Sequence, residues 1–221
     1  MDPYGLTPLL LSLRVAGLAT LLAFLLGLPF ALLLARGRFP GKGLVETLVL
    51  IPLVLPPTVM GYYLLVAVGR ASPLGRGLEA LVGWSPLFTW QAAVLAALVA
   101  AAPLLIKAAQ AAFESVDHTL EDAARTLGKD EAEVFFRVTI PLAWRGLVAG
   151  GILTFARAMG EFGITLMIAG NIPGVTQTMP LAIYDAVQAN RLAAAHTLSL
   201  IALGAVAALL LVLGRLTRVR L

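Results

Sequence analysis

The amino-acid sequence predicts an all-α integral membrane protein with about five transmembrane helices and one hydrophilic cytoplasmic loop. Of its 221 residues, 60% are hydrophobic and only 13% are charged, and the mean hydropathy is +0.93. A soluble domain of this length needs far more polar surface. Apolar stretches of about 20 residues recur along the chain, and that is the length needed to cross the hydrocarbon core of a bilayer. We expect residues 1–221 to form a single transmembrane domain.

Five apolar segments mark the predicted spans, in chain order. They cover 6–35, 44–69, 87–106, 146–170 and 192–214. Each is consistent with a spanning helix of about 17–25 residues, with the longer ones tilted. Between the third and fourth spans lies a polar, charged segment, 115–141, which must sit in water.

The distribution of basic residues predicts the orientation of the spans. One side carries most of them: Arg36, Arg38, Lys42, Lys107, Arg125, Lys129, Arg137, Arg145, Arg215, Arg218 and Arg220. The other side carries four: Arg14, Arg70, Arg76 and Arg191. Because basic residues concentrate in cytoplasmic loops, we expect the N-terminus outside and the C-terminus and segment 115–141 in the cytoplasm.

The second predicted span contains Pro52, Pro56 and Pro57, which remove backbone donors and bend or break a helix. Freed carbonyl groups at membrane depth are tolerated where protein or a water-filled cavity covers them. Pro56, Pro57 and Thr58 are therefore candidates for lining or gating a translocation path. A kink that only improves packing is the alternative, because proline is frequent in transmembrane helices.

The hydrophilic segment has the pattern of two short helices joined by a sharp turn. Apolar residues at helical spacing form one stripe, namely Leu120, Ala123, Ala124 and Leu127. Gly128 then allows a change of direction that a residue with a Cβ resists. Asp130 with Glu133 is typical of a capping box that opens a second helix, and Pro141 suits the first turn of the next span. An amphipathic helix lying on the membrane surface shares this pattern.

The spacing within this segment resembles the "EAA" loop of ABC-importer permeases. That family has Glu-Ala-Ala, three residues, Gly, nine residues, Ile, any residue and Leu-Pro. Here Asp122, Val138 and Ile140 replace the Glu, Ile and Leu. In the family this loop forms a coupling helix that docks on a separate ATPase subunit. The resemblance implies an ATPase-coupling loop made of Glu121, Asp122, Ala123, Ala124, Gly128, Val138, Ile140 and Pro141.

The chain has no phosphate-binding motif of the form G-x-x-x-x-G-K-[ST]. We therefore expect it to bind no nucleotide and to carry no catalytic residue, with ATP and Mg bound by the partner ATPase. No cysteine is present, and the two histidines, His118 and His196, lie far apart in the sequence. A metal site is not expected. The basic residues flank apolar segments, which fits membrane topology rather than nucleic-acid binding.

Three segments resemble the molybdate/tungstate permease family: LVLIPLVLPPTVMGYYLL, FARAMGEFGITLMIAGNIPG and TMPLAIY. Sulfate permeases share a similar Ala-Arg-Ala-x-Gly-Glu-Phe-Gly stretch, while the five-span length and the NIPG loop favour molybdate. The resemblance implies a type I ABC-importer permease fold, a homodimer, one ATPase copy per permease and an external oxyanion-binding protein. A sulfate or thiosulfate permease is the nearest alternative. An ion-coupled secondary carrier would predict inverted repeats, and none is evident.

Arg157 and Glu161 lie four residues apart in the fourth predicted span, and so on one face of a helix. Unpaired charges at that depth cost at least ~3 kcal/mol each, so both side chains should face the bundle or a wet cavity. One interpretation is that Arg157 adds positive potential to an oxyanion path and Glu161 partly neutralises it. The other is a buried ion pair that fixes helix packing or the dimer interface.

Overall fold

The computed structural model describes residues 6–83 and 85–217, and the regular secondary structure of this part of the chain is entirely helical. The α-helices are α1 (Leu6–Arg36), α2 (Lys42–Val54), α3 (Pro57–Val68), α4 (Pro73–Val82), α5 (Trp90–Glu114), α6 (His118–Thr126), α7 (Glu131–Val134), α8 (Ile140–Met159), α9 (Gly163–Ala169), α10 (Met179–Gln188) and α11 (Leu192–Thr217). A π-helical turn, Phe135–Thr139, joins α7 to α8. Arg218 and Arg220 of the basic C-terminus lie outside the described residues.

Four helical segments are long and apolar enough to cross a membrane: Leu6–Arg36, Trp90–Glu114, Glu131–Met159 and Leu192–Leu211. A fifth crossing results if the bent pair α2 and α3 is counted as one span. The predicted all-α membrane protein with about five spans is thereby confirmed. The most apolar part of α5 is 56% buried within the monomer, against 6% for α11. Helix α5 is therefore the centre of the bundle and α11 lies at its edge.

Small residues let α5 pack closely against its neighbours. It contacts α1, α8 and α9, and alanines along its length are fully buried. On the α8 side, a Cβ added to Gly150 would lie 2.7 Å from the Cβ of Ala108, and one added to Gly146 would lie 2.6 Å from the Cβ of Ala112. Backbones approach this closely in membranes because packing, rather than water exclusion, holds transmembrane helices together.

The second predicted span, 44–69, is broken rather than merely bent. Helix α2 ends at Val54, α3 starts at Pro57, and their axes differ by 110°. Leu55 is extended and Pro56 occupies the N-cap position of α3. The break lies here because a residue before proline avoids the α-helical region, while Pro57 suits the first helical position, where no N–H is needed. Pro52 stays inside α2.

The fourth predicted span, 146–170, is also interrupted. Helix α8 ends at Met159 and α9 starts at Gly163. The prediction that Glu161 shares a spanning helix with Arg157 is therefore wrong, because Glu161 lies in the break. The reason is local: the Glu161 carboxylate accepts the backbone N–H of Ile164 at 2.8 Å and so starts a new helix.

Pro141 is at the start of α8, but the helix does not begin there, since it is continuous from Glu131. Just before Pro141, the backbone N–H of Ile140 bonds to the carbonyl of Phe135, five residues back. A proline ring crowds the carbonyl of the preceding helical turn and donates no hydrogen bond. The wider π turn accommodates both effects, and π turns of this kind are frequent at functional sites.

We expect Gly150→Val to weaken the packing of α5 against α8, because the added methyl groups would overlap Ala108. Overpacking of this kind costs about 1–3 kcal/mol. Unfolding of the purified chain in detergent measures the loss. Gly204→Val on α11 is the matched control, since a Cβ there meets nothing within 4 Å. If the two substitutions lowered stability equally, the close approach of α5 and α8 would be contradicted.

Candidate functional site

The hydrophilic segment forms a helix, a glycine turn and a second short helix. The Asp117 side chain caps α6 by accepting the N–H of Thr119 at 2.9 Å, and this hydrogen bond lowers the pKa of Asp117. At the other end of α6, Gly128 has a φ of +79°. The N–H groups of Gly128 and Lys129 bond back to the carbonyls of Arg125 and Ala124. This is a Schellman motif, and it favours glycine at position 128 because the residue there has a positive φ.

The second short helix starts as predicted. Asp130 accepts the N–H of Glu133 at 2.7 Å, so it caps α7. The Glu133 carboxylate pairs with Lys129 at 3.2 Å and with Arg137 at 3.4 Å. The cap thus fixes the direction in which the chain leaves Gly128 and enters the long helix that follows.

One face of this segment is apolar and exposed. Leu127 is 80% exposed and Phe136 is 68% exposed. Leu120 and Ala123 are exposed as well, and Ala124 is half-buried. Large apolar side chains beside small ones make a surface that another protein can approach closely, and exposed apolar residues grouped on one short segment indicate an interaction site. We call these five residues the docking face.

Charged side chains hold α6 and α7 at a fixed angle beside this face. Arg125 donates to Asp122 at 2.7 Å and to Glu131 at 2.7 Å. The Glu131 carboxylate, followed by that of Asp122, raises the pKa of Arg125 above its usual value. Asp122, which matches the Glu of the family motif, is thus exposed and paired within the segment. The docking face therefore keeps its shape without a partner.

Glu121 points the other way, into the bundle. It is only 4% exposed. Its carboxylate accepts hydrogen bonds from Arg36 at 2.7 Å and from Thr139 at 2.6 Å, and lies 3.4 Å from His118. The sequence grouped Glu121 with the coupling loop, and nothing local revealed these partners. Arg36 is 85 residues away, and in the sequence it is only one of the basic residues that indicate topology.

The second half of the family motif lies away from the docking face. Val138 is in the π turn, Ile140 and Pro141 begin α8, and of the three only Pro141 is exposed. All three residues lie where the hydrophilic segment continues into the spanning helix α8. The motif therefore combines a surface element with the element that connects it to the membrane.

The two helix breaks contact each other. A Cβ added to Gly163 would lie 2.6 Å from the Cβ of Pro57, and one added to Gly61 would lie 2.7 Å from Met167. Helices α3 and α9 therefore cross in close contact just after their respective breaks. Pro56, Pro57 and Thr58 remain exposed in the monomer.

The predicted charge pair forms beside this crossing. Arg157 and Glu161 are 2.8 Å apart, with the side chain of Arg157 32% exposed and that of Glu161 2% exposed. One carboxylate oxygen holds Arg157 and the other caps Ile164. The predicted path residues are thus brought together, since Glu161 is two residues from Gly163 and Gly163 packs on Pro57. Arg157 is therefore the partly exposed member of the pair, and Glu161 is the buried one.

Comparison with known proteins identifies relatives of this arrangement. The family model described as "Binding-protein-dependent transport system inner membrane component" matches residues 27–219. The molybdenum transport system permease protein ModB of Escherichia coli K12 is 48% identical over 179 residues, 81% of this chain and 78% of that protein. A putative molybdenum transport system permease protein of Bacillus subtilis, YvgM, is 44% identical over 184 residues, 83% of this chain and 81% of the relative.

Solved structures share the fold at low sequence identity. The inward-facing MetNI methionine ABC transporter matches with a TM-score of 0.73 and 18% identity, covering 99% of this chain and 98% of that one. A bacterial ABC transporter involved in import of the acidic polysaccharide alginate matches with a TM-score of 0.77 and 13% identity, covering 99% and 80%. The predicted ABC-importer permease fold is confirmed.

Glu161 should stabilise the break between α8 and α9 in two separable ways. Glu161→Ala removes both the ion pair and the cap, and we expect it to lower the free energy of unfolding by about 2–4 kcal/mol. Glu161→Gln keeps an acceptor for Ile164 and should cost clearly less. Unfolding in detergent measures both. Glu79→Ala breaks an exposed pair with Arg70, and about 0–1 kcal/mol is expected there. Equal losses for all three would contradict the assignment.

Proposed function

The chain belongs to the family of binding-protein-dependent transport system inner membrane components, and we propose that it is the membrane-spanning permease subunit of an ATP-driven importer of molybdate or tungstate. The observation that carries the substrate class is its 48% and 44% identity, over four-fifths of the chain, to permeases named for molybdenum transport. The chain is therefore a transport subunit rather than an enzyme. Sulfate or thiosulfate is the alternative oxyanion, since the stretch around Arg157 resembles both kinds of permease.

The docking face is the site at which ATP-derived movement enters the molecule. Its exposed leucines and small alanines fit a groove on a separate ATPase subunit, which holds the ATP and Mg. This chain has no phosphate-binding loop of its own. Asp122, Ala123, Ala124 and Gly128 carry the family spacing on this surface. Val138, Ile140 and Pro141 pass the movement into α8.

A second copy of the chain completes the path. Apolar side chains exposed on α3, among them Tyr62, Tyr63 and Val66, face either lipid or the second copy. One of the two breaks directly precedes α3 and the other packs against it, so the path runs along the interface between the two copies. An external oxyanion-binding protein delivers the anion to it. The N-terminus lies outside, and the C-terminus and docking face lie in the cytoplasm, in keeping with the distribution of basic residues.

At the paired breaks, Arg157 supplies positive potential for the passing oxyanion. Its side chain is about a third exposed, and its guanidinium is held by one carboxylate. Glu161 partly neutralises the charge of Arg157 and so weakens its attraction for the anion. The anion can therefore leave as readily as it enters. Conduction requires this balance between favourable entry and weak retention. Pro56, Pro57 and Thr58 line or gate the same region.

Uptake into proteoliposomes that contain the permease, its ATPase and the oxyanion-binding protein tests the proposal. We expect ATP-dependent accumulation of labelled molybdate, with little sulfate. Gly128→Val should reduce it severalfold, because a β-branched residue strains a positive φ by about 1–2 kcal/mol. Gly43→Val, in the cytoplasmic half-helix α2 and without a neighbour within 4 Å, is the matched control. Intact uptake in Gly128→Val would contradict the coupling loop and its cytoplasmic side.

Arg157→Ala separates the path from packing. If Arg157 serves the anion, uptake should fall about tenfold while the complex with the ATPase still co-purifies, and Arg157→Lys should retain part of the activity. Arg70→Ala, which also removes an ion-paired cation, should leave uptake within twofold. Loss of assembly in Arg157→Ala would assign the pair to packing instead. Unchanged uptake would exclude Arg157 from the path.

A further inference from the structure

We propose that Arg36 and Glu121 form a positioning pair that transmits movement of the docking face to the transmembrane helices. The inference rests on the proposed function, because it concerns the step between ATPase docking and anion transport. It places Glu121 where the hydrophilic segment attaches to the bundle, rather than on the docking face. It also brings in Arg36, the last residue of α1, which no motif connects with the loop.

Glu121 is the one buried residue of α6, all of whose residues, His118 to Thr126, the structure describes. The rest of this helix is exposed or half-buried. A helix held by packing would bury an apolar stripe, but the stripe of α6 faces outward as the docking face. The attachment of α6 to the bundle therefore passes mainly through the Glu121 carboxylate.

One oxygen of that carboxylate connects α6 with both α1 and the π turn. Its Oε1 accepts from Arg36 at the end of α1 and from Thr139 at the end of the π turn. Charge-assisted hydrogen bonds of this length are the strong and directional kind. Arg36 also lies 2.6–2.7 Å from the ring nitrogens of His118, at the start of α6. When α6 moves, α1 and the entry into α8 must follow.

Apolar packing between α1 and the loop is incomplete beside this joint. A cleft of about 720 Å³ opens there. It is lined by Pro29, Leu32 and Leu33 of α1 and by Val134 and Phe135, together with polar residues that include Arg36 and Glu121. The polar joint therefore bridges α1 and α6 across this cleft, while Leu32 and Phe135 pack on the same apolar cluster deeper in the bundle.

The joint also lies at the irregular turn through which the chain enters α8. Thr139 is buried and ends the π turn, whose wider hydrogen bonding interrupts the regular helical ladder. Below it, Phe135 packs against Phe113 of α5, with ring centroids 6.2 Å apart. A pull on Thr139 therefore acts on an irregular turn whose first residue packs on α5, and tilts α8 relative to α5.

The functional test compares transport with ATP hydrolysis in the reconstituted complex. We expect Arg36→Met to keep co-purification with the ATPase and to hydrolyse ATP within twofold of the wild type. Molybdate imported per ATP should fall about tenfold. The exchanged pair, Arg36→Glu with Glu121→Arg, should recover at least a third of this ratio. Lys42→Met is the matched control, since it removes one cytoplasmic cation from a pair with Glu46 at 4.0 Å.

A second measurement needs neither substrate nor ATP. The chain has no cysteine, so Thr126→Cys gives a single site for a nitroxide label at the end of α6. In the full chain in lipid bilayers, Arg36→Met should raise the mobile fraction of the label spectrum. The exchanged pair should restore it, and Lys42→Met should not change it.

Several outcomes would overturn the proposal. One is an unchanged ratio of import to hydrolysis in Arg36→Met. Another is a parallel loss of both activities with assembly, which would assign a purely structural role. The proposal would also be contradicted if the label spectrum of Arg36→Met were identical to that of Lys42→Met. Absence of ATP-dependent uptake in the wild type would instead refute the proposed function, while the label measurement would still decide whether Arg36 holds α6.

Discussion

The structure depends on one constraint: inside a bilayer, every backbone polar group needs a partner within the protein. Long unbroken helices satisfy it, and α1, α5 and α11 are of this kind. The two interruptions occur where their loose ends can be covered. Pro57 has no N–H to satisfy, the Glu161 carboxylate caps Ile164, and the two breaks pack on each other through Gly163. Irregular backbone at membrane depth is tolerated where it is buried or lines a cavity. The same constraint therefore both permits the breaks and locates them at a candidate path.

A second region is organised by charge rather than by backbone satisfaction. The hydrophilic loop keeps its apolar residues outward and attaches itself inward through Glu121. Burying this carboxylate is tolerable because Arg36 and Thr139 bond to it. In a hydrophobic attachment, the docking face and the anchoring face would compete for the same leucines and alanines. A polar joint leaves the apolar stripe free for a partner, and gives a directional connection to two helices at once.

Much of this organisation was predictable from local patterns. Hydropathy predicted the membrane class, Gly128 the turn, Asp130 the cap, and the prolines a break. Glu161 shows where such reasoning fails: its spacing from Arg157 predicted a shared helix face, and the ion pair forms, but through a capped break. A helical spacing rule assumes that the helix continues, and a buried carboxylate that caps a new helix ends it. For Arg36 no local rule applied, since pairing across 85 residues is a property of the folded chain.

The sequence by itself determined which segments enter the bilayer, because the transfer free energy of about 20 apolar residues depends on composition alone. It also determined the helical caps and turns, which need only neighbours within a few residues. Only the tertiary structure decided that Glu121 faces Arg36, that the breaks near Pro57 and Glu161 meet, and that the docking face stays uncovered. These depend on how closely α5 lets its neighbours approach, and that distance is set by side chains on different helices acting together.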